Sequence, residues 1–309
     1  MGCTQTYNQD AMTAMTIAQQ EEHHLEHDGM LIAQDWATRY SETSHATWAS
    51  LINSMQELSA KTSCSKLLQG QEAIRLDTKR IPKFSDLTAQ LSSSTGWEVT
   101  GAHGFIPNEI FFTELANKRF PMACEIRSLD GSQFQEYPDL FHDIYGHTAM
   151  LMYPEVSKLL QSSAHGILKA IKMGRQDLVK KIAAAYWFTL EVGLVKEQGN
   201  IKVYGAAVAS SPKEIMFATE DKTPNLIRFD LDRVMRTDYN MLDVQRTYFV
   251  LEDIRDLEDL AQQDFFERAL RLENMPTLGQ GVIDASDEII QLGSDRSLVI
   301  STNSKKNTI

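Results

Sequence analysis

The sequence has few of the features expected of a secreted, membrane-spanning or nucleic-acid-binding protein. Its three cysteines, Cys3, Cys64 and Cys124, lack the spacing of a disulfide framework, so a cytoplasmic location is expected. No run of about 18 apolar residues is present, and the N-terminus lacks the basic and apolar regions of a secretion signal. The net charge of -12 argues against nucleic acid or an anionic membrane as a partner.

The composition changes twice along the chain. Residues 1–38 are polar and rich in Gln, Glu and His, which predicts a flexible leader. Residues 39–275 carry helical and strand patterns and predict one folded domain, whereas residues 276–309 are weakly patterned and predict a C-terminal tail. The C-terminus lacks the sustained leucine heptads of an oligomerising coiled coil, so a monomer or weak dimer is expected.

Helical patterns outnumber strand patterns, so the predicted fold is mainly α with a few short strands. Apolar residues at helical spacing predict helices from residue 44 onward and over 105–120, 155–173, 177–195 and 253–272. Short alternating or apolar runs predict strands at 97–99 and 247–251, and the polar stretch 92–96 predicts a turn.

Two histidines lie five residues apart in the segment 138–147, PDLFHDIYGH. On a regular α-helix, side chains at this spacing point about 140° apart. His142 and His147 can therefore share a site only where the helix ends or distorts, and Gly146 favours such a distortion. Taken alone, the spacing also fits two unrelated surface or core histidines.

A third candidate ligand lies in an apolar helical run. Residues 183–195, AAAYWFTLEVGLV, contain one ionisable carboxylate, Glu191. Glutamates in such runs are buried, and a buried glutamate is rare unless it is paired or bound to a metal. A buried Glu–Arg pair is the alternative that these residues leave open.

Two histidines and one carboxylate form a metal-binding set. The combination of His142, His147 and Glu191 matches the facial triad of non-haem iron(II) oxygenases, which leaves positions open for oxygen and water. Zinc accepts the same three ligands. The spacing alone does not choose between the two metals.

Three blocks together carry a resemblance to a known family. They are the segments 138–147, 186–194 (YWFTLEVGL) and 204–211 (YGAAVASS), in this order and at matching separations. On these blocks, residues from about 41 to about 265 resemble the pterin-dependent aromatic amino acid hydroxylases, with the layout of the short bacterial members. The resemblance implies a mainly helical basket around a non-haem iron.

The resemblance also implies the cofactors and the residues that hold them. Iron(II) would be bound by the two histidines and Glu191, and the other requirements are a tetrahydropterin, such as tetrahydrobiopterin, and O2. Phe111 falls where the family stacks an aromatic ring on the pterin. The backbone of Gly104, Phe105 and Ile106 would help to hold the same cofactor.

Further residues are implied near the pterin and the substrate. Asp143 takes the place of the family's acidic residue beside the pterin, and Tyr186 would stand close to the iron; both are candidate catalytic residues. Arg127 lies where the family arginine pairs with the substrate carboxylate, a role that suits the two parallel bonds of a guanidinium. Ser210 matches the serine on the substrate side that orients an iron-bound histidine.

The expected reaction is the hydroxylation of phenylalanine to tyrosine. Trp187 matches the tryptophan of phenylalanine and tyrosine hydroxylases, where tryptophan hydroxylases have phenylalanine. Val250 matches the apolar residue of phenylalanine hydroxylases, where tyrosine hydroxylases have aspartate. Both residues favour a small aromatic amino acid of the phenylalanine type as substrate.

Several departures from the family pattern cluster on the substrate side. Cys124 and Glu125 replace two tryptophans, Ala207 replaces a glycine and Val192 replaces a phenylalanine, while the segment 148–150 (TAM) replaces Val-Pro-Leu. They leave tryptophan, tyrosine or the meta position of phenylalanine as alternatives on the same scaffold. A zinc hydrolase or a catalytically inactive amino acid binder are the alternatives from other classes.

Overall fold

The computed structural model describes residues 31–32, 40–102, 106–128, 138–241 and 243–294. The predicted leader lies outside these ranges except for the two residues of strand β1, Leu31–Ile32. Within the described ranges, none of the helices combines the length and the apolar character needed to cross a bilayer.

Helices dominate the described residues, which confirms the predicted fold class. Two short π-helical segments, π1 (Asp143–Thr148) and π2 (Trp187–Glu191), interrupt the α-helical pattern. The α-helices are α1 Glu42–Thr62, α2 Ser65–Ala73, α3 Phe84–Ser94, α4 Asn108–Ala116, α5 Leu140–His142, α6 Ala149–Leu151, α7 Pro154–Lys172, α8 Gln176–Tyr186, α9 Ala206–Ala209, α10 Pro212–Thr219, α11 Leu231–Val234, α12 Asp256–Leu260 and α13 Phe265–Arg271.

The strands form two small sheets. The first has the order β1-β2-β3 and contains β2 Glu98–Ala102 and β3 Arg119–Ala123, which are parallel to each other. The second has the order β5-β4-β7-β6-β8, and its strands are β4 Leu194–Glu197, β5 Asn200–Val203, β6 Asn225–Arg228, β7 Thr247–Leu251 and β8 Ile289–Gln291. All five residues of the central strand β7 are buried, which confirms the strand predicted at 247–251.

Local sequence explains the long helix α7. Pro154 occupies its first turn, where the missing N–H has no intrahelical partner to lose. Val156, Leu160 and Ile167 lie on its buried face, and full burial of each such side chain stabilises the fold by roughly 1.5–3 kcal/mol. Helix α7 packs against α4, α6 and α8. Because α6 directly follows π1 and α8 directly precedes π2, α7 supports both π-helical segments.

Several predicted elements have different bounds in the structure. The helix expected over 105–120 ends at Ala116, because Lys118 adopts a positive φ of 57° and turns the chain into β3. The helix expected over 253–272 is two helices, since Asp264 caps the start of α13. The turn expected at 92–96 begins later, because α3 continues to Ser94 and Gly96 makes the turn with φ 77°.

The structure also changes the picture of the predicted C-terminal tail. Strand β8 lies within residues 276–309 and pairs antiparallel with β6 at the edge of the five-stranded sheet. The side chain of Asn225 in β6 accepts a hydrogen bond from the main chain of Gly293. The weak pattern of this region therefore conceals a strand that belongs to the fold.

Candidate metal centre

Two π-helical segments bring the predicted ligands together. His142 ends α5 and His147 lies within π1, so the two imidazoles are separated by five residues across a segment with i to i+5 hydrogen bonding. Their ring centroids lie 4.8 Å apart. The distortion that the sequence required is present, and it is a π-helical segment rather than a helix end.

Gly146 contributes to the centre by allowing a close approach. A Cβ at this position would lie 2.5 Å from the Cβ of Ala206, closer than real side chains come. Ala206 opens the short helix α9, which packs against α5, π1 and π2. Gly146 lies within the π-helical distortion, as the sequence suggested. Its φ is not positive, so the structure needs a glycine here for the close contact with α9 rather than for an unusual backbone conformation.

Glu191 is the last residue of π2 and is buried beside both histidines. One carboxylate oxygen lies 3.0 Å from Nε2 of His147 and the other lies 3.4 Å from Nε2 of His142. One possible ligand atom from each of the three residues lies within 4.8 Å of the other two. Among the described residues, the basic side chains that contact this buried carboxylate are therefore histidines, which argues against the alternative of a Glu–Arg pair.

The electrostatics of the three groups suit a divalent cation. Burial lowers the pKa of His142 to about 4, so this imidazole is neutral at pH 7. Burial is the largest single influence on the pKa of Glu191 and would raise it, but the charges and hydrogen bonding of His147 and its neighbours together outweigh burial and lower this pKa to about 2. A metal needs neutral imidazoles and an ionised carboxylate. His142 and Glu191 fit that requirement, whereas Glu191 raises the pKa of His147 against the effect of burial, so this ring would give up its proton when a metal binds.

Ser210 fixes the orientation of the first histidine. Its hydroxyl lies 3.1 Å from Nδ1 of His142, which leaves Nε2 of the ring facing Glu191. A hydrogen bond to the distal nitrogen is the usual way to set the tautomer and direction of a metal-bound imidazole. The structure thus brings Ser210 within hydrogen-bonding distance of His142, and its role in orienting a metal ligand stays a prediction.

Asp143 is buried between the histidine segment and the first sheet. Its carboxylate accepts a hydrogen bond of 2.7 Å from the main chain of Ala123 at the end of β3, and it lies 3.9 Å from Nε2 of His142. Burial raises the pKa of Asp143 to about 7. A carboxyl group that can be either protonated or ionised at neutral pH therefore stands beside the metal ligands.

Arg127 lies in a buried hydrogen-bond network with Asp139 and Ser210. Its Nε and Nη2 donate to the two oxygens of Asp139 at 2.9 and 2.6 Å, and its Nη1 donates to the main-chain carbonyl of Ser210 at 2.9 Å. A guanidinium has five N–H donors, so one on each Nη nitrogen has no partner among the described residues. Those two donors match the two oxygens of a carboxylate.

Asp139 is a functional residue that the sequence reasoning missed. It caps α5 by accepting from the main chain of His142 at 3.0 Å, and it holds Arg127 through three further hydrogen bonds. An aspartate just before a helix is a recognisable capping signal, and this signal could have identified its structural role. Its pairing with Arg127 depends on tertiary structure.

An aromatic series leads from the predicted pterin residue to the metal ligands. Phe111 lies edge-on to Phe112 at 5.2 Å, and Phe112 lies edge-on to Tyr186 at 6.1 Å. Burial, reinforced by the negative charge of the nearby Glu191, raises the pKa of Tyr186 well above its usual value. Ile106 is buried against Phe111.

The remaining four predicted site residues fall into two pairs. Gly104 and Phe105 lie outside the described residues. Trp187 begins π2 and stacks on Tyr239 at 5.2 Å with an interplanar angle of 19°. Val250 is buried in the central strand β7, where its side chain is part of the hydrophobic core. The roles assigned to Trp187 and Val250 in substrate binding stay predictions.

Comparison with known proteins gives one consistent answer. The family model described as biopterin-dependent aromatic amino acid hydroxylase matches residues 23–291. The chain is 34% identical over 272 residues to a phenylalanine-4-hydroxylase of Ralstonia nicotianae, covering 86% of each chain. A similar enzyme of Caulobacter vibrioides is 34% identical over 263 residues, which covers 85% of this chain and 88% of that one.

Solved structures agree with the sequence relatives. The crystal structure of phenylalanine hydroxylase from Chromobacterium violaceum bound to cobalt superimposes with a TM-score of 0.79 at 32% identity. The superposition covers 88% of this chain and 98% of that one. The fold therefore matches over nearly the whole of a solved catalytic chain.

Proposed function

Because the chain belongs to the biopterin-dependent aromatic amino acid hydroxylases, we propose that it is a phenylalanine 4-monooxygenase, which converts phenylalanine to tyrosine with O2. The observation that carries the proposal is the buried group of His142, His147 and Glu191. These residues would hold iron(II). Together with tetrahydropterin, the bound iron supplies the activation of O2.

The residues of the chain itself would bind and orient the substrates. Arg127, held by Asp139, presents its two remaining Nη donors to the carboxylate of the amino acid. Phe111 offers its half-buried ring as a surface for the pterin. Support for the role of Arg127 comes from Ser210, which contacts both this arginine and His142. Support for the role of Phe111 comes from the aromatic series that reaches Tyr186, the residue just before π2.

Buried groups around the ligands would control water and protons. Asp143 is buried and Tyr186 is half-buried beside the metal ligands, so protein would enclose much of the space around the reacting atoms. Asp143, whose pKa lies near 7, can hold or release a proton close to the pterin face. Its carboxylate remains anchored to the main chain of Ala123.

Location and assembly are also proposals. The two described cysteines, Cys64 and Cys124, are free thiols buried in the fold, which suits a reducing cytoplasm. A monomer or weak dimer is proposed because the sequence lacks the heptads of a coiled coil. The partner is a small aromatic amino acid, with nucleic acid and membranes disfavoured by the net charge of -12.

One experiment tests the proposed reaction. Protein loaded with iron(II) is incubated with tetrahydropterin, O2 and phenylalanine, tyrosine or tryptophan in turn, and products are identified by mass and ring position. We expect tyrosine from phenylalanine. Product from tryptophan or tyrosine, or at the meta position of phenylalanine, would instead support an alternative on this scaffold. Binding of phenylalanine without any oxygen consumption would indicate an inactive amino acid binder.

The carboxylate role of Arg127 has its own test. In Arg127→Lys the charge remains, but the planar fork is lost, so we expect the KM for phenylalanine to rise about tenfold, as for one charge-assisted hydrogen bond. The iron content per chain should match that of the wild type. An unchanged KM for phenylalanine in the folded variant would contradict this role.

A further inference from the structure

A buried carboxyl group that the proposed reaction does not use lies close to the metal centre. Glu214 belongs to the first turn of α10 and is 4% exposed. Among the described residues, its side chain has one hydrogen-bond partner, the Tyr248 hydroxyl, which donates to it at 2.9 Å. Burying a carboxyl group costs more free energy than burying an apolar side chain. We therefore infer that the hydrogen bond of Glu214 has a role beyond filling the core.

Tyr248 connects this carboxyl group to the centre of the large sheet. It is fully buried in β7, the central strand of the sheet order β5-β4-β7-β6-β8. Its hydroxyl also accepts a hydrogen bond of 3.1 Å from the main chain of Gln245. The Tyr248 hydroxyl is therefore fixed by both bonds, and it presents a fixed donor to Glu214.

The other end of the connection is the turn between α9 and α10. The main chain of Glu214 donates to the Ser211 hydroxyl at 3.3 Å, and the main chain of Ile215 donates to the Ser211 carbonyl at 2.9 Å. Ser210, the preceding residue, bonds to His142 through its hydroxyl and to Arg127 through its carbonyl. One turn thus touches both a metal ligand and the predicted substrate arginine.

We propose that Glu214 and Tyr248 are positioning residues, which anchor the Ser210–Ser211 turn to β7 and thereby set the affinity of the enzyme for its amino acid substrate. The proposal rests on the proposed function. The route runs from the sheet through Tyr248 and Glu214 into α10, and from the start of α10 to the carbonyl that orients Arg127. Neither residue is placed in contact with the substrate.

The hydrogen-bond chemistry predicts which substitutions are tolerated. Burial raises the pKa of Glu214 to about 7, so its carboxyl group is partly protonated at neutral pH. Glutamine has nearly the same shape and also accepts from Tyr248 through its amide oxygen. Glu214→Gln should therefore keep the anchor, whereas Glu214→Ala and Tyr248→Phe remove it.

The test compares these three variants with a matched control. Tyr153→Phe removes a tyrosine hydroxyl that donates to the main chain of Lys66 at 2.8 Å. For each iron-loaded protein, phenylalanine binding is measured by calorimetry without O2, and KM values for phenylalanine and pterin, iron content and the free energy of unfolding are measured in parallel. Tyr248→Phe keeps the test decisive if Glu214→Ala fails to fold.

We expect the Kd and KM for phenylalanine to rise about fivefold to tenfold in Glu214→Ala and Tyr248→Phe, the effect of losing one buried hydrogen bond. The KM for pterin and the iron content should stay unchanged, and Glu214→Gln and Tyr153→Phe should bind phenylalanine as the wild type does. Unchanged phenylalanine affinity in folded Tyr248→Phe, or an equal loss in Tyr153→Phe, would overturn the proposal.

The same measurements separate this inference from the proposed function. Failure of the wild type to hydroxylate any aromatic amino acid would refute the proposed function. The calorimetric comparison would still decide the positioning role, because it measures binding rather than turnover. A wild type that hydroxylates phenylalanine, with variants that bind phenylalanine normally, would refute the positioning role alone.

Discussion

The guanidinium of Arg127 and the carboxylate of Asp139 form a buried pair with two parallel N–O contacts of 2.6 and 2.9 Å. Both side chains are about 95% shielded from solvent. This pair fixes the direction in which the remaining donors of Arg127 point, and Asp139 also caps the helix that ends in His142. The carboxylate of Asp139 therefore contacts both Arg127, the predicted substrate residue, and the main chain of the candidate metal ligand His142.

Removal of that shared carboxylate should destabilise the fold. Asp139→Ala leaves the Arg127 charge buried without its partner, which costs about 3–5 kcal/mol. Glu57→Ala, which breaks the exposed Lys61–Glu57 pair, is the control and should leave the free energy of unfolding nearly unchanged, because solvent screens the pair. Urea unfolding measures both values. Equal, small losses in the two variants would contradict the buried character of the Arg127–Asp139 pair.

Substitution of Ser210 should weaken metal binding without weakening substrate binding. Ser210→Ala removes the hydroxyl beside Nδ1 of His142 but keeps the carbonyl that accepts from Arg127. We expect iron affinity to fall about 10-fold to 100-fold, as for loss of other partners of metal-bound histidines, with little change in phenylalanine affinity. A competitive chelator assay measures the first quantity and calorimetry the second.

The control for this variant is Ser163→Ala. Ser163 is equally buried, but its hydroxyl donates to the carbonyl of Leu160 within α7. Its iron affinity should match that of the wild type. Iron affinity in Ser210→Ala that equals that of Ser163→Ala would show that the serine does not orient the ligand.

Gly146 should tolerate no side chain. In Gly146→Ala the new Cβ would lie 2.5 Å from Ala206, so α9 or π1 must move. We expect a loss of about 1–3 kcal/mol in unfolding free energy from overpacking, together with a lower iron content. Gly279→Ala is the matched control, because its Cβ would meet only Val282, at 3.7 Å. Equal stability of the two variants would contradict the close approach.

The sequence was sufficient to name the three candidate ligands, because each carries a local signal and the family resemblance joins them. His142 and His147 form a spaced pair, and Glu191 is the one carboxylate in an apolar run. The π-helical geometry that joins them was not predictable in detail, since apolar periodicity does not distinguish a short π-helical segment within a helix. Only the need for some distortion could be inferred from the five-residue spacing.

Contacts between distant parts of the chain account for what the sequence did not reveal. Tyr248 and Glu214 are 34 residues apart, and neither position carries a pattern that predicts their bond. Strand β8 has exposed isoleucines rather than an alternating pattern, so its pairing with β6 was hidden in an apparent tail. Asp139 could be recognised as a helix cap, but its bond to Arg127 required the fold.

The central claim is that His142, His147 and Glu191 bind the iron that hydroxylates phenylalanine, and Glu191→Ala tests it most directly. Iron per chain and tyrosine formation are measured in this variant beside the wild type and Glu252→Ala, which removes an exposed carboxylate paired with Lys196. We expect Glu191→Ala to bind iron at least about tenfold more weakly and to form no tyrosine, while Glu252→Ala behaves as the wild type. Full tyrosine formation by Glu191→Ala would contradict the assignment.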